Sequence, residues 1–193
     1  CGLIVRDMRY KAFISYSHAD SRFAAMLQRD LENFRVPKDT AAELKLKNAR
    51  LGSICRDVSD LGAAPTLTAA LTDAIADSEA LVVVCSPDSA ASRWVELEIQ
   101  EFRRVHGEQA LVLPVIAAGA GDGDPEEMFP PALGDSPPLA ADARRSAEGR
   151  RGALLKIVAG LLGVGLDELI RRDARRNQVR LLAGISVTTT IAV

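Results

Sequence analysis

The residue that says most about chemistry is Glu98, an acidic side chain on the apolar side of a predicted helix. That helix covers Arg93–Val105 and follows Ser92, a residue suited to a helix N-cap. At roughly 100° per residue, Glu98 falls about 40° from Trp94 and inside the apolar arc. The arc is formed by Trp94, Val95, Ile99, Phe102 and Val105. A carboxylate in such a position costs free energy unless it is paired.

Two interpretations of Glu98 follow from this pattern. Proteins accept a polar residue on a core-facing stripe mainly at functional sites and in buried ion pairs. In the first interpretation, Glu98 therefore faces a cleft and takes part in binding or catalysis. In the second, it stands at the end of the apolar stripe and pairs with an arginine or extends to water. The pattern alone leaves both open.

The elements around Glu98 alternate between strand and helix patterns. Apolar or β-branched runs predict four strands and a short fifth, at Tyr10–Tyr16, Leu51–Cys55, Ala80–Cys85, Ala110–Ile116 and Leu139–Ala143. Helical patterns lie between and after them. This alternation predicts an α/β fold, a flavodoxin-like three-layer sandwich with a central, mostly parallel sheet of four or five strands. In such a sheet, ligands bind beyond the carboxyl ends of the strands.

Three local features carry more specific predictions. Asp20 or Ser21 is placed to cap the helix that follows the first strand. Pro114, inside the fourth strand, favours an edge position for that strand because proline cannot donate a ladder hydrogen bond. Gly160, Gly163 and Gly165 are expected to break the helix predicted over Leu154–Leu162, before another helix starts at Asp167.

Residue types exclude several other functions. A phosphoacceptor receiver domain has a similar architecture but needs acidic residues where this chain has Ser17-His18 and Cys85-Ser86. The glycine-rich P-loop motif GxxxxGK[ST] is absent from the sequence. The three cysteines form no CxxC pair or metal-ligand spacing, so we expect neither a disulfide framework nor a metal site.

Basic residues are concentrated towards the C-terminus. The 193-residue chain has a formal net charge of −2, yet Arg144–Arg180 holds ten Lys/Arg against four Asp/Glu. An uncharged run, Leu181–Val193, follows five arginines. It is shorter than the roughly 20 residues that span a bilayer. We predict a domain over 1–165, a basic helical linker over 166–180 and the start of a truncated transmembrane helix over 181–193.

This arrangement also predicts location and partners. Arginines beside a membrane-entering segment hold their side in the cytoplasm, so we expect a cytoplasmic domain tethered to the inner face of a membrane. Aromatic side chains that stack on bases are lacking in the basic segment, so no nucleic-acid partner is expected.

Three motifs, in order and at suitable spacing, resemble those of the TIR (Toll/interleukin-1 receptor) family. Phe13–Ser17 resembles the first-strand motif of the family. Arg56–Pro65 resembles its second box and BB loop. Leu81–Pro87 and Ser92–Glu98 resemble the third strand and the helix after it. The resemblance covers residues 9–118, with a continuation to residue 162.

The resemblance implies an activity. In the NAD⁺-cleaving branch of the family, the catalytic glutamate stands four residues after a tryptophan, as Glu98 follows Trp94. It therefore implies an NAD⁺ glycohydrolase that uses Glu98, releases nicotinamide and leaves ADP-ribose or a cyclic form. NAD⁺ is then the substrate, and no further cofactor is implied. Substrate-binding positions are also implied at Tyr16, Ser17, His18, Asp57 and Trp94.

The resemblance further implies signalling or immune defence through self-association, with copies of this chain or other TIR domains as partners. The alternative is an interaction module that assembles signalling complexes without chemistry, in which Glu98 is structural. The chain departs from the family in its BB loop, Asp60–Pro65, which lacks the usual Pro-Gly. Ser17-His18 also stands where some active members have a basic pair.

Overall fold

The computed structural model describes residues 8–56, 68–134 and 139–175. In these ranges five strands form one parallel sheet in the order β2-β1-β3-β4-β5. The strands are β1 Ala12–Ser15, β2 Ile54–Arg56, β3 Ala80–Cys85, β4 Leu111–Ile116 and β5 Ala141–Asp142. The predicted flavodoxin-like α/β fold is confirmed, including its short fifth strand.

Helices cover both faces of the sheet and produce the expected three layers. They are α1 Ser21–Asn33, α2 Lys38–Glu43, α3 Ala69–Ala76, α4 Pro87–Ala90, α5 Arg93–His106, α6 Gly149–Leu162 and a further helix, α7, over 166–175. One core lies between the sheet and α1, α2, α6 and α7. The other lies between the sheet and α3 and α5.

The central strand β3 shows why the chain needs both layers. Every residue of β3 is buried, and successive side chains of a strand point to opposite faces. Val82 and Val84 belong to the core under α1 and α6, whereas Leu81, Val83 and Cys85 belong to the core under α5. A continuous apolar run is therefore required wherever helices cover both faces.

The second strand begins later than predicted. Leu51 is buried, but the strand itself covers Ile54–Arg56. Gly52 has a φ of 112°, which is outside the extended region. The apolar pattern therefore identifies the segment correctly, while the backbone at Gly52 moves the start of the ladder.

The prediction that Pro114 places β4 at an edge is wrong, because β4 lies between β3 and β5. Pro114 pairs with Val83 on one side. On the other side, β5 pairs only with Val115 and Ile116. Proline is tolerated because the neighbouring strand is too short to reach it, so its surroundings resemble an edge on that side.

The prediction that Gly160 breaks helix α6 is wrong, because the helix continues through Gly160 to Leu162. A Cβ at Gly160 would lie 2.9 Å from Cδ2 of Leu113, so this glycine allows a close approach between α6 and β4. The helix ends at Gly163, which has left-handed backbone angles of φ 66° and ψ 29°. Of the three glycines, only Gly163 therefore ends the helix.

Helix α7 packs on the domain through its first part. Leu169 is 1% exposed and belongs to the core beside α6. Arg172 donates to Thr40 and Glu43 near α2. In the described part of the chain, the structure contains no helix that is both long and apolar enough to cross a membrane. The segment 181–193, on which the membrane prediction rests, lies outside the described residues.

Candidate active site

Polar side chains gather where β1 and β3 end. The chain changes the direction in which it adds strands at this point, because β2 lies on one side of β1 and β3 lies on the other. In parallel sheets this switch point opens a crevice at the carboxyl edge. Ser15 ends β1 and Ser86 follows β3 at this edge. The side chains nearest to it are therefore the first candidates for chemistry.

Helix α5 brings Glu98 to this edge. The helix starts after Ser92, whose hydroxyl accepts a hydrogen bond from the backbone N–H of Val95 at 3.4 Å, as a capping residue should. Its buried residues are Val95, Glu98, Ile99 and Phe102. Glu98 is only 4% exposed. The predicted placement of this carboxylate on the apolar side of the helix is confirmed.

The carboxylate of Glu98 accepts a hydrogen bond from Ser15. The distance from Ser15 Oγ to Glu98 Oε2 is 2.5 Å, and Ser15 is fully buried. Phe13, two residues earlier on β1, packs in the core beneath α5. Because side chains two apart on a strand share a face, Ser15 points from β1 towards α5 as well. The contact thus follows from strand periodicity and the position of α5.

Trp94 lies one helical turn before Glu98 and is half-buried. Residues four apart on a helix are neighbours on its surface. Val95, Ile99 and Phe102 are fully buried, so Trp94 stands at the border between the buried face of α5 and solvent. An indole at this border can offer a flat apolar surface to a ligand beside the carboxylate.

A second polar network joins β1 to β3. Asp20 Oδ2 accepts hydrogen bonds from Ser86 Oγ at 2.6 Å and from Ser89 Oγ at 3.1 Å. Ser89 Oγ also accepts from the backbone N–H of Ser17 at 3.3 Å. Asp20 occupies the N-cap position of α1, as predicted. In the described part of the chain, however, its carboxylate binds these serines and not the backbone of α1.

Tyr16 lies with a different group of side chains. It packs against the core on the α1 and α6 side of the sheet, and its hydroxyl accepts a hydrogen bond from Arg56 at 2.9 Å. The guanidinium carbon of Arg56 is 5.5 Å from the centre of the tyrosine ring, within cation–π range. Arg56 also donates to Gln28 at 3.1 Å. These contacts hold an arginine at the carboxyl end of β2.

Of the other predicted substrate-binding residues, Ser17 and His18 are described by the structure and Asp57 is not. Ser17 is half-buried and His18 is exposed, at the start of a short 3₁₀ helix, His18–Asp20. Both follow the carboxyl end of β1, as expected from their position. Asp57 and the BB loop lie outside the described residues.

The far side of the same edge is held by an ion pair. Arg144 donates to both carboxylate oxygens of Asp142 and to the carbonyls of Gly121 and Gly123, so it fastens the loop after β4 to the end of β5. Burial alone would raise the pKa of Asp142, but the hydrogen bonds from Arg144 outweigh it and lower the pKa below its ordinary value.

Cys85, at the end of β3, is unsuited to nucleophilic chemistry. Burial raises the pKa of its thiol from an ordinary 9.0 to about 12, and the nearby charge of Asp20 adds to the effect. A cysteine acts as a nucleophile through its thiolate. Because this thiol stays protonated near neutral pH, Cys85 is not a candidate nucleophile at this edge.

A concavity also lies at the opposite edge of the sheet, before β2. It is an open groove of about 460 Å³, lined by Glu32, Asn48, Arg50, Gly52 and Ser53. Glu32 Oε1 there accepts hydrogen bonds from Gln28 and from the backbone of Ile54. We place the candidate site at the carboxyl edge, where parallel sheets bind ligands.

Two residues of this edge, Ser15 and Ser89, were missed by sequence reasoning, as was the contact between Ser86 and Asp20. A signal for Ser15 exists, because it follows Phe13 by two residues and must share its face. The partnership of Asp20 with the serines has no local signal, since 66 residues separate Asp20 from Ser86.

Comparison with known proteins agrees with this architecture. Residues 12–155 match the TIR domain family. The chain belongs to this family, as its motifs predicted.

Two individual proteins are similar to this chain. One is the NAD(+) hydrolase ApTIR of Actinoplanes sp. strain SE50/110, which is 33% identical over 90% of this chain. The chain spans only 26% of the length of that relative. The other is a solved structure of the TIR domains in the activated Roq1 resistosome that recognises the pathogen effector XopQ. It has 25% identity and a TM-score of 0.41, covering 61% of this chain and 60% of the other.

Proposed function

We propose that this TIR domain cleaves NAD⁺ with Glu98 as the catalytic residue. The observation that carries the proposal is a carboxylate that is 4% exposed, held at the switch point of a parallel sheet by a buried serine. The similarity to an NAD(+) hydrolase supports the same conclusion. Substrate-binding roles for Tyr16, Ser17, His18, Asp57 and Trp94 belong to the proposal as well.

The proposed reaction breaks the bond between C1′ of the ribose and the ring nitrogen of nicotinamide. The bonding electron pair leaves with nicotinamide, whose ring nitrogen is already cationic, so no strong general acid is required. Positive charge develops on the ribosyl carbon in an oxocarbenium-like transition state. Water, or a nucleophilic atom of the adenine ring in the cyclic case, then bonds to C1′ and loses a proton.

A fixed carboxylate has a definite part in this reaction. Negative charge held beside C1′ stabilises the developing positive charge, and a site that is mostly excluded from water strengthens the effect. The hydrogen bond from Ser15 orients the carboxylate of Glu98 for this role. The half-buried indole of Trp94 offers a surface for the ribose or nicotinamide.

The direct test is nicotinamide release from NAD⁺ by the 193-residue chain, measured at high protein concentration under conditions that promote assembly. Glu98→Gln keeps the size of the side chain and removes its charge, so we expect turnover to fall by roughly a hundredfold or more. Glu96→Gln is the matched control. Glu96 lies on the same helix but is engaged elsewhere, because its carboxylate accepts a hydrogen bond from the backbone N–H of Ala132.

The outcomes are distinct. Loss of turnover in Glu98→Gln, with activity retained in Glu96→Gln, supports catalysis by Glu98. Equal turnover in both variants contradicts it. A wild-type chain that leaves NAD⁺ intact at every concentration favours the interaction module. A rise in specific activity with protein concentration would support activation by self-association, and membrane tethering through residues 181–193 stays a prediction.

A further inference from the structure

The geometry points to Ser15 as a positioning residue for Glu98: its hydroxyl sets the direction in which the catalytic carboxylate faces the reacting carbon. This inference rests on the proposed NAD⁺ cleavage and assigns a role within it. The carrying observation is the hydrogen bond from Ser15 Oγ to Glu98 Oε2, between two residues that are 0% and 4% exposed.

Both partners of this contact are anchored independently. Ser15 is the last residue of β1 and pairs with Val83 of β3, near the centre of the sheet. Phe13, on the same face of β1, packs with Val95 and Ile99 of α5 in one core. The distance between β1 and α5 is therefore set by packed side chains. A serine hydroxyl in this position meets the carboxylate without any movement of the backbone.

A glutamate side chain has three rotatable bonds, so burial alone does not fix the direction of its carboxylate. A hydrogen bond from a rigid strand selects one arrangement of the carboxylate. Preorganisation of this kind contributes to the rate, because a misplaced catalytic group loses much of its effect on the transition state. Ser15 thus acts through Glu98 and without touching the substrate.

The test compares Ser15→Ala with a control serine. Ser78 is also 0% exposed, and its hydroxyl donates to the carbonyl of Ala74 at 2.8 Å, near the amino end of β3. Ser78→Ala therefore removes a buried hydroxyl at the other edge of the sheet. We expect Ser15→Ala to lower kcat for NAD⁺ cleavage by roughly tenfold to a hundredfold. KM should change little, because substrate contacts are retained.

Rescue separates positioning from a general structural role. Ser15→Thr restores a hydroxyl on the same carbon and should recover most of the lost kcat, whereas Ser78→Ala should keep the wild-type kcat. If Ser15→Ala fails to fold, Ser15→Cys supplies a group of similar size and weaker donor strength, and an intermediate kcat is expected.

Each remaining outcome overturns a definite statement. Wild-type kcat in Ser15→Ala, together with an inactive Glu98→Gln, overturns the role of Ser15 and leaves the proposed function standing. An equal loss of kcat in Ser15→Ala and Ser78→Ala also overturns it, since stability alone would then account for the change. A wild-type chain without NAD⁺ cleavage overturns the proposed function and this inference with it.

Discussion

Burying a carboxylate beside apolar side chains costs free energy, and hydrogen bonds only partly offset that cost. Glu98 lies on the same buried face of α5 as Val95 and Ile99, with the Ser15 hydroxyl as a donor. An apolar residue at this position would complete the buried face of α5. Proteins retain such a local conflict mainly where function requires it, which is why Glu98 is the most informative residue of the chain.

Cys85 differs from Glu98, because burial keeps its thiol protonated and therefore unreactive. The pKa of its thiol rises from 9.0 to about 12 on folding. A raised folded-state pKa contributes stability that is fully present below the unfolded value and is lost as pH rises towards the folded value. We therefore expect the free energy of unfolding to fall between pH 9.0 and about 12, partly because of this thiol.

The measurement is chemical denaturation of the wild type and of Cys85→Ala across that pH interval. Other groups that titrate there are common to both proteins, so the difference between them isolates the thiol. The stability gap should narrow by up to a few kcal/mol as pH rises, at about 1.36 kcal/mol per pKa unit. A gap that stays constant with pH would contradict the prediction.

Among the described residues the two longest helices, α5 and α6, are buried to different extents. Helix α5 has one buried face and carries Glu98 on it. Helix α6 is buried on most sides, because the sheet, α1 and α7 surround it. Apart from its first turn and Lys156, the helix is apolar, and an apolar helix lies inside the protein. The ends of such a helix have to be well defined, since each added turn would need further space.

The C-terminal end of α6 at Gly163 allows a test of how a defined helix end contributes to stability. Gly163 has a φ of 66°, and a Cβ there would meet no atom of the described residues within 4 Å. Substitution by alanine therefore adds backbone strain without a clash, and we expect Gly163→Ala to lower the free energy of unfolding by about 1–2 kcal/mol.

Gly165→Ala is the matched control for that substitution. Among the described residues Gly165 also has open space around its Cα, but its φ lies outside the left-handed region. Its stability should stay near that of the wild type or rise slightly. Urea denaturation compares the two variants. Equal losses would show that the left-handed turn does not determine the cost.

Charged contacts tie α7 back to the body of the domain. Asp173 is 4% exposed and receives a hydrogen bond from Arg151 of α6. On the surface, Arg172 pairs with Glu43 of α2, and this contact lowers the pKa of Glu43. The basic segment 166–180 was predicted to be a helical linker, and its first ten residues form a helix in contact with α6 and α2.

Arg151→Ala tests how firmly α7 is held. The substitution removes a donor from a buried carboxylate, so local opening of α7 should become easier by about 1–3 kcal/mol. Hydrogen exchange of amides in 166–175 measures this change. Arg150→Ala is the matched control, because Arg150 pairs with Asp30 at the surface, where ion pairs contribute little. Equal exchange in the two variants would contradict the role of Arg151.

Local periodicity was sufficient to predict that Glu98 lies on the apolar side of its helix, because residues three and four apart on a helix share a face whatever surrounds it. The same reasoning identified the strands, the capping role of Ser92 and, with the resemblance, the family. By contrast, Pro114 was misjudged because the length of the neighbouring strand is not a property of its own segment.

The sequence by itself determined the succession of strands and helices along the chain, and the presence of an acidic residue on the apolar side of α5. Only the tertiary structure decided what that residue meets, since Ser15 and Glu98 are separated by 83 positions along the chain. The same holds for Asp20 with Ser86 and Ser89. Periodicity specifies the face to which a side chain points, but the partner on that face depends on how strands are ordered and helices packed.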